Sequence, residues 1–321
     1  MLVGLITIAW GAEDKAADLP VVVAPTPADP PVVVAPTPAD PSVVVAPDEP
    51  AAADELERRR TALPSGGQQI FGDGRFLVAY YGTAGTGALG VLGETDPATM
   101  HRRVRRAARP FRGPRRPVQV VHELIVTIAD RVPGPDGDYS HDITRRQVRR
   151  HIEAAHEHGA LLVLDLQPGR SDFLTVAKRW AWALRDPWVG LALDPEWRMA
   201  PGQVPGRVIG SVSAREINRT TRWLADLTRR HRLPQKLVLL HQFRTSMIRD
   251  IARVSSRARL ATVQHVDGFG TQREKLATYH AVKRPQQFLM GMKLFYDEDH
   301  DRMGAREIHR IRPRVRFVSY Q

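Results

Sequence analysis

The chain has 321 residues, a hydrophobic fraction of 42% and no cysteine, so it can fold one large domain but excludes disulfides, zinc–thiolate sites and thiol nucleophiles. Its net charge of +12 conceals an asymmetry, because residues 1–55 carry nine acids and one base while the remainder carries 46 bases and 26 acids. We expect so basic a region to attract polyanions, such as an anionic cell-wall polymer.

Two segments precede the first strand-like pattern. Residues 1–12, MLVGLITIAWGA, are apolar but too short to span a bilayer, and they are similar to a truncated signal segment with a small-x-small site at 9–11. Residues 13–64 form a linker that contains PVVVAPTPADP twice, at 20–30 and 31–41. Proline at this density opposes helices and sheets, so we expect an extended, disordered linker. Together the segments predict a secreted or envelope-associated protein without a transmembrane span.

Residues 65–321 alternate between strand-like and helix-like patterns. Short apolar runs predict eight strands, at Phe76–Tyr81, Val118–Ala129, Leu161–Leu166, Val189–Leu193, Lys236–Leu240, Leu260–Gln264, Phe288–Leu294 and Val315–Tyr320. Amphipathic periods predict seven intervening helices, at Pro97–Ala108, Arg145–His158, Phe173–Leu184, Ala214–His231, Met247–Val254, Gln272–Lys283 and Gly304–Ile311. This strict alternation predicts an α/β fold, a (β/α)8 TIM barrel spanning residues 65–321. An open doubly wound sheet is the alternative.

Polar, acidic and aromatic residues follow the apolar bodies of the predicted strands. Where a barrel has a function, its residues lie at these C-terminal strand ends. The residues in question are Tyr80, Tyr81, Glu123, Asp165, Gln167, Asp194, Glu196, Trp197, His241, Gln242, Gln264, His265, Asp267, Lys293 and Tyr296. Their concentration at one end predicts an acidic pocket there.

The segment Leu191–Trp197, LALDPEW, contains the most informative pair of acids. Asp194 and Glu196 are two residues apart, so on a strand both side chains point to the same face. Like-charge repulsion and an apolar neighbour raise the pKa of a carboxyl group, and glycosidic cleavage needs a carboxylic acid that stays protonated near neutral pH. The structural alternative is that Asp194 caps a turn while Glu196 pairs with Arg198.

The same segment, LALDPEW, resembles the strand-four D-x-E motif of family 25 lysozymes and, more weakly, the end of the acidic motif of family 18 chitinases. Both families are sugar-cleaving barrels. The resemblance implies that Glu196 is the acid and Asp194 its supporting carboxylate. Where family 25 has an aspartate near the end of strand one, this chain has Tyr80 and Tyr81. The second carboxylate therefore stays open, and an N-acetyl group of the substrate is another alternative.

These observations predict a glycoside-hydrolase-like protein that acts on peptidoglycan or another polysaccharide by carboxylate acid/base catalysis. The predicted catalytic residues are Glu196 and Asp194 with Asp165, Glu123 or Asp267 as the second carboxylate. The predicted substrate-binding residues are Tyr80, Tyr81, Gln167, Trp197, His241, Gln242, Gln264, His265, Lys293 and Tyr296. A non-catalytic polysaccharide-binding barrel is the closest alternative.

We predict neither a cofactor nor a metal ion. Residues Gly85–Gly90 match G-x-G-x-x-G, but the next helix signal comes only at Asp96-Pro97, whereas a dinucleotide fold opens its helix inside the motif. The histidines show neither H-x-H nor H-E-x-x-H spacing, which makes a metal-dependent hydrolase the less favoured alternative. Nucleic-acid binding is not expected either, because the basic clusters lie in separate helices.

Overall fold

A computed structural model describes residues 62–321; the predicted signal segment and nearly all of the predicted linker lie outside these residues. Eight strands of the central sheet form the barrel: β1 Phe76–Thr83, β2 Val118–Ala129, β3 Leu161–Leu166, β4 Val189–Leu193, β5 Lys236–His241, β6 Leu260–Val266, β7 Leu289–Leu294 and β8 Val315–Tyr320. A short ninth strand, Ser140–Asp142, pairs antiparallel with β2. Each of the eight barrel strands pairs in parallel with the next, and β8 pairs in parallel with β1. The sheet is therefore a closed barrel, which confirms the TIM-barrel prediction and excludes the open doubly wound sheet.

The helices lie between the strands in sequence. They are α1 Pro97–Ala108, α2 Arg145–His158, α3 Phe173–Arg179, α4 Ala181–Leu184, α5 Ala214–Arg230, α6 Gln272–Val282 and α7 Ala305–Arg310. Asp96 caps α1 and Thr144 caps α2, as their sequence positions predict. Asp172 caps α3, because its carboxylate accepts from the backbone amides of Leu174 and Thr175.

The predicted helix Met247–Val254 is wrong. The segment contains two short 3-10 turns on either side of a two-residue strand, Ile248–Arg249, which pairs with Val212–Ser213. Asp250 has a φ of 55°, which is incompatible with a right-handed helix. Pairing with a strand that is distant in sequence therefore overrides the apolar periodicity of this segment.

The predicted helix Phe173–Leu184 is divided at Trp180, between α3 and α4. Trp180 is buried, and its indole N–H donates to Thr127 Oγ1 at 3.0 Å. Because a buried indole N–H needs an acceptor, this contact with β2 accounts for the position of the Trp180 side chain.

Side chains along each barrel strand alternate between the interior and the helix layer. The lower interior is apolar, and its members include Leu77, Ala79, Val121, Val163, Ala192, Leu239, Val263 and Phe317. Gly291 on β7 provides space among them, because a Cβ there would lie 2.8 Å from Val263 Cγ1 and 3.2 Å from the rings of His265 and Phe317. Above this apolar layer the interior becomes polar, and the candidate site lies there.

A second group of polar residues, the histidine cluster (His101, His122, His151 and His158), lies between the outer face of β2 and helices α1 and α2. His122 Nε2 is 3.1 Å from His101 Nδ1, and the rings of His101 and His158 stack with centroids 4.5 Å apart. Burial first, and then neighbouring positive charge, lowers the pKa of His101 and of His151 to about 4. Both rings are therefore neutral at pH 7.

Candidate functional site

The upper interior of the barrel is lined by one polar side chain from each strand or from the residue that follows it. These residues are Tyr81, Glu123, Asp165, Asp194, His241, His265, Lys293 and Ser319, and each is at most 4% exposed. The strand register places Tyr81 beside Glu123 and Lys293 beside Ser319. Because alternate residues of a strand face the same side, each polar residue continues a row that is apolar lower in the barrel.

His241 connects opposite sides of this interior. Its Nδ1 lies 2.9 Å from Asp267 Oδ2, and its Nε2 lies 3.0 Å from Glu123 Oε1, across the barrel from β5 to β2. Burial opposes a charge on this ring, but the hydrogen bonds to both carboxylates raise the pKa of His241 well above its ordinary value. Burial also opposes a charge on Asp267, yet His241 and then Lys293 lower the pKa of its carboxyl group.

Tyr81 and Asp165 form a second buried contact in the same interior. The Tyr81 hydroxyl donates to Asp165 Oδ2 at 2.9 Å, and Gln167 Nε2 donates to that hydroxyl at 3.3 Å. Lys293 Nζ lies 3.6 Å from the centroid of the Tyr81 ring. Burial is the main reason that the pKa values of Asp165 and Asp194 are raised, and neighbouring carboxyl groups raise them further.

Several polar atoms of this interior have no hydrogen-bond partner within residues 62–321. They are Glu123 Oε2, Asp165 Oδ1, Asp267 Oδ1 and His265 Nδ1. Buried polar atoms are usually hydrogen-bonded, so four together call for a specific explanation such as a bound ion or water. Two sets of donors are close enough to hold a cation, with all donor atoms of a set within 4.8 Å of one another: Glu123, His241 and His265, and Asp194, His241 and Asp267.

Glu196 lies at the mouth of the interior, in a 3-10 turn that follows β4, and is half-buried. Asp194 Oδ1 accepts from the Glu196 backbone amide at 3.3 Å, so Asp194 does cap this turn. Arg198 does not pair with Glu196; its Nε lies 3.0 Å from Glu216 Oε1 instead. Burial, followed by the charge of Asp267, raises the pKa of Glu196 to about 7.

Other predicted site residues contact neighbours outside this interior. Gln264 Nε2 donates to Gln242 Oε1 and to the Val282 carbonyl, both at 2.7 Å, which ties β5 and β6 to the end of α6. The hydroxyls of Tyr80 and Tyr296 lie 3.0 Å apart on the outer side of β1. Trp197 is half-buried in the same turn as Glu196.

The sequence prediction omits Ser319 from the site. Its Oγ lies 3.0 Å from His265 Nε2 inside the barrel. Ser319 is two residues after the interior residue Phe317 on β8, so strand alternation alone is a sufficient signal to place it inside.

No protein-family model matches this chain, and a search of curated proteins finds no match. The similarity of LALDPEW to family 25 lysozymes therefore rests on that segment alone. Within residues 62–321, no helix combines the length and apolarity needed to cross a membrane. The fold is a TIM-like barrel, and its buried polar and acidic interior is compatible with an enzyme.

Proposed function

We propose that this barrel hydrolyses glycosidic bonds in peptidoglycan or another polysaccharide, with Glu196 as the general acid. The observation that carries the proposal is the state of Glu196, a half-buried carboxyl group at the C-terminal end of the barrel with a pKa raised to about 7. A carboxyl group that keeps its proton in about half of the molecules near neutral pH can donate a proton to a leaving-group oxygen. Because Arg198 pairs with Glu216 and not with Glu196, the Glu196 carboxyl group is available for this role.

Asp267 is the second carboxylate in this proposal. Glu123 and Asp165 are completely buried, and they contact His241 and Tyr81. Asp267 is 7% exposed, and its charge acts directly on Glu196. Glu196 would protonate the glycosidic oxygen as the bond to the sugar breaks, and Asp267 would stabilise the positive charge that develops on the sugar ring or activate the attacking water.

An exposed aromatic residue near the mouth supports a sugar substrate. Phe269, in the loop that follows β6, is 54% exposed, and its ring lies 5.9 Å from that of Phe295 in an edge-to-face arrangement. An aromatic ring presents a large apolar face, and a sugar ring can pack on such a face. We also propose that the protein acts outside the cytoplasm, on the basis of the apolar segment at 1–12 and the proline-rich repeats.

The decisive experiment compares the full chain with Glu196→Gln for release of reducing ends from peptidoglycan and a panel of polysaccharides. Loss of a general acid typically costs about 10²–10⁴-fold in rate, so we expect at least about a 100-fold decrease in kcat. Asp297→Asn is the matched control, because it removes an exposed carboxylate from the loop that follows β7 at the same end of the barrel. It should retain wild-type activity.

A different outcome would favour the non-catalytic binding barrel. If the wild-type chain releases no reducing ends from any substrate, yet sediments with insoluble wall material equally well with and without Glu196→Gln, the hydrolase proposal is wrong. Circular dichroism of each variant ensures that a loss of activity is not a loss of folding.

A further inference from the structure

Two histidines of the barrel interior are each fixed by one ring nitrogen and present the other to Glu123. His241 Nδ1 contacts Asp267 Oδ2 at 2.9 Å, and its Nε2 lies 3.0 Å from Glu123 Oε1. His265 Nε2 contacts Ser319 Oγ at 3.0 Å, and its Nδ1 lies 3.9 Å from the same Glu123 oxygen. In metal-binding histidines the nitrogen that does not bind the ion is usually held by a carboxylate, a backbone carbonyl or water, and here Asp267 and the Ser319 hydroxyl hold that position.

Two atoms that could bind a metal ion, one on His265 and one on Glu123, have no hydrogen-bond partner among the described residues. His265 Nδ1 and Glu123 Oε2 are fully buried and have no hydrogen-bond partner within the part of the chain that the structure describes. The donor atoms of Glu123, His241 and His265 all lie within 4.8 Å of one another. Zinc ligands lie about 2.0–2.2 Å from the ion, so two ligand atoms can be at most about 4.4 Å apart. Only a small adjustment would bring all three donors onto one ion.

We propose that Glu123, His241 and His265 bind one divalent transition-metal ion, such as Zn²⁺, inside the barrel. Two imidazoles and one carboxylate are a ligand set that zinc accepts. Asp267 and Ser319 are then the outer partners that orient the two histidines.

The charges of the interior favour a cation at this position. Four buried carboxyl groups, Glu123, Asp165, Asp194 and Asp267, are each at most 7% exposed. Lys293 also lies among them, with its Nζ 3.9 Å from Asp267 Oδ2. Buried charges are costly unless they are paired or bind a metal ion. A cation bound beside Glu123 would pair directly with that carboxylate and would take the place of the proton on His241.

This inference does not rest on the proposed function of Glu196, which contributes no ligand to the site. The test therefore measures metal binding without a substrate. The full chain is freed of metal with a chelator and titrated with Zn²⁺ by calorimetry, and the bound metal is counted by mass spectrometry. Co²⁺ is used as a second probe, because its visible absorption depends on the number of ligands and on whether nitrogen atoms are among them.

We expect one Zn²⁺ per wild-type chain and a loss of at least about 10-fold in affinity for both Glu123→Gln and His265→Gln, since even an outer partner contributes that much. His122→Gln is the matched control, because His122 is equally buried on the same strand but faces the helices. His122→Gln and Glu196→Gln should bind Zn²⁺ as the wild type does.

Two results would overturn the proposal. One is a wild-type chain that binds no Zn²⁺ or Co²⁺ after removal of metal, an outcome that does not depend on the folding of any variant. The other is unchanged Zn²⁺ affinity in a folded His265→Gln chain. Loss of hydrolysis in Glu196→Gln with full metal binding would support both proposals separately.

Discussion

Among the acids of residues 62–321 whose pKa is raised, Glu196 is partly exposed, whereas Asp165 and Asp194 are buried. Burial and the charge of Asp267 raise the pKa of Glu196 to about 7, so close to half of the molecules carry the proton at pH 7. Because the proposed reaction requires the protonated form, we expect activity to be highest below pH 7 and to fall about tenfold for each pH unit above it. The measurement is a pH–rate profile of reducing-end release.

Asp297→Asn is the control and should show the same decrease in rate above pH 7. Circular dichroism across the same pH range tests whether the decrease is caused by unfolding. A rate that is constant between pH 6 and 9 would show that Glu196 is not the proton donor.

The sequence predicts the residue and the direction of this pKa shift, because Asp194, Glu196 and Trp197 are close along the chain. It offers Asp267 as one of three candidates for the second carboxylate, but it does not predict that Asp267, which follows another strand, raises the pKa of Glu196.

At the level of elements, the histidine cluster links β2 to α1 and α2, and its members His101 and His151 are neutral at pH 7 in the folded protein. The pKa of His151 is lowered by burial, and then by Arg150, to about 4, whereas an unfolded histidine titrates near 6.5. The unfolded state therefore binds more protons between these values, and stability is lost as the pH falls from about 6.5 towards 4. For His151 alone this linkage amounts to about 2 kcal/mol between pH 7 and pH 5.

The corresponding test is urea unfolding of wild type and His151→Gln at pH 7 and pH 5. We expect the variant to lose about 2 kcal/mol less than the wild type between the two values, whatever its stability at pH 7. His300→Gln, which changes an exposed histidine, should lose as much as the wild type. If the free energy of unfolding changed equally with pH in His151→Gln and in the wild type, His151 would not be a source of the loss of stability in acid.

Strands were more predictable than helices, for a physical reason. The bodies of β3 and β4 are continuous runs of buried residues and those of β2 and β8 are mostly buried, and the structure reproduces the predicted bounds of all four. β5 and β6 extend beyond their predictions because they continue with inward polar residues, which a search for apolar runs omits. Met247–Val254 has helical periodicity but no helix, since its partner strand, Val212–Ser213, is distant in sequence.

On the scale of the whole molecule, closure of the sheet determines which strand-end residues meet. The sequence indicates that polar residues follow the strands, and it identifies seven of the eight that line the upper interior. It does not indicate that His241 reaches Glu123 across the barrel or that His265 faces the same carboxylate. Both contacts join residues that are more than a hundred positions apart in sequence, so no short sequence pattern indicates them.

The charge of the whole chain predicts an interaction with polyanionic polymers. Beyond residue 55 the chain has 46 bases and 26 acids. We expect the protein to be retained on immobilised heparin, a polyanionic polysaccharide, at low ionic strength and to elute by about 1 M salt, where the Debye length is about 3 Å. An uncharged dextran matrix is the control. Passage through heparin without retention at low salt would contradict the proposal of an anionic wall polymer as partner.

The pairing of β1 with β8 has a consequence for the nascent chain. One edge of β1 stays unpaired until residues 315–320 have been synthesised, more than two hundred residues later. An unpaired strand edge is a template for pairing with other chains, and contacts this distant in sequence form slowly. The incomplete barrel also lacks Lys293 and Ser319 while its four interior acids are already present. Translation of the last sixth of the chain is therefore the period in which this protein is most exposed to aggregation.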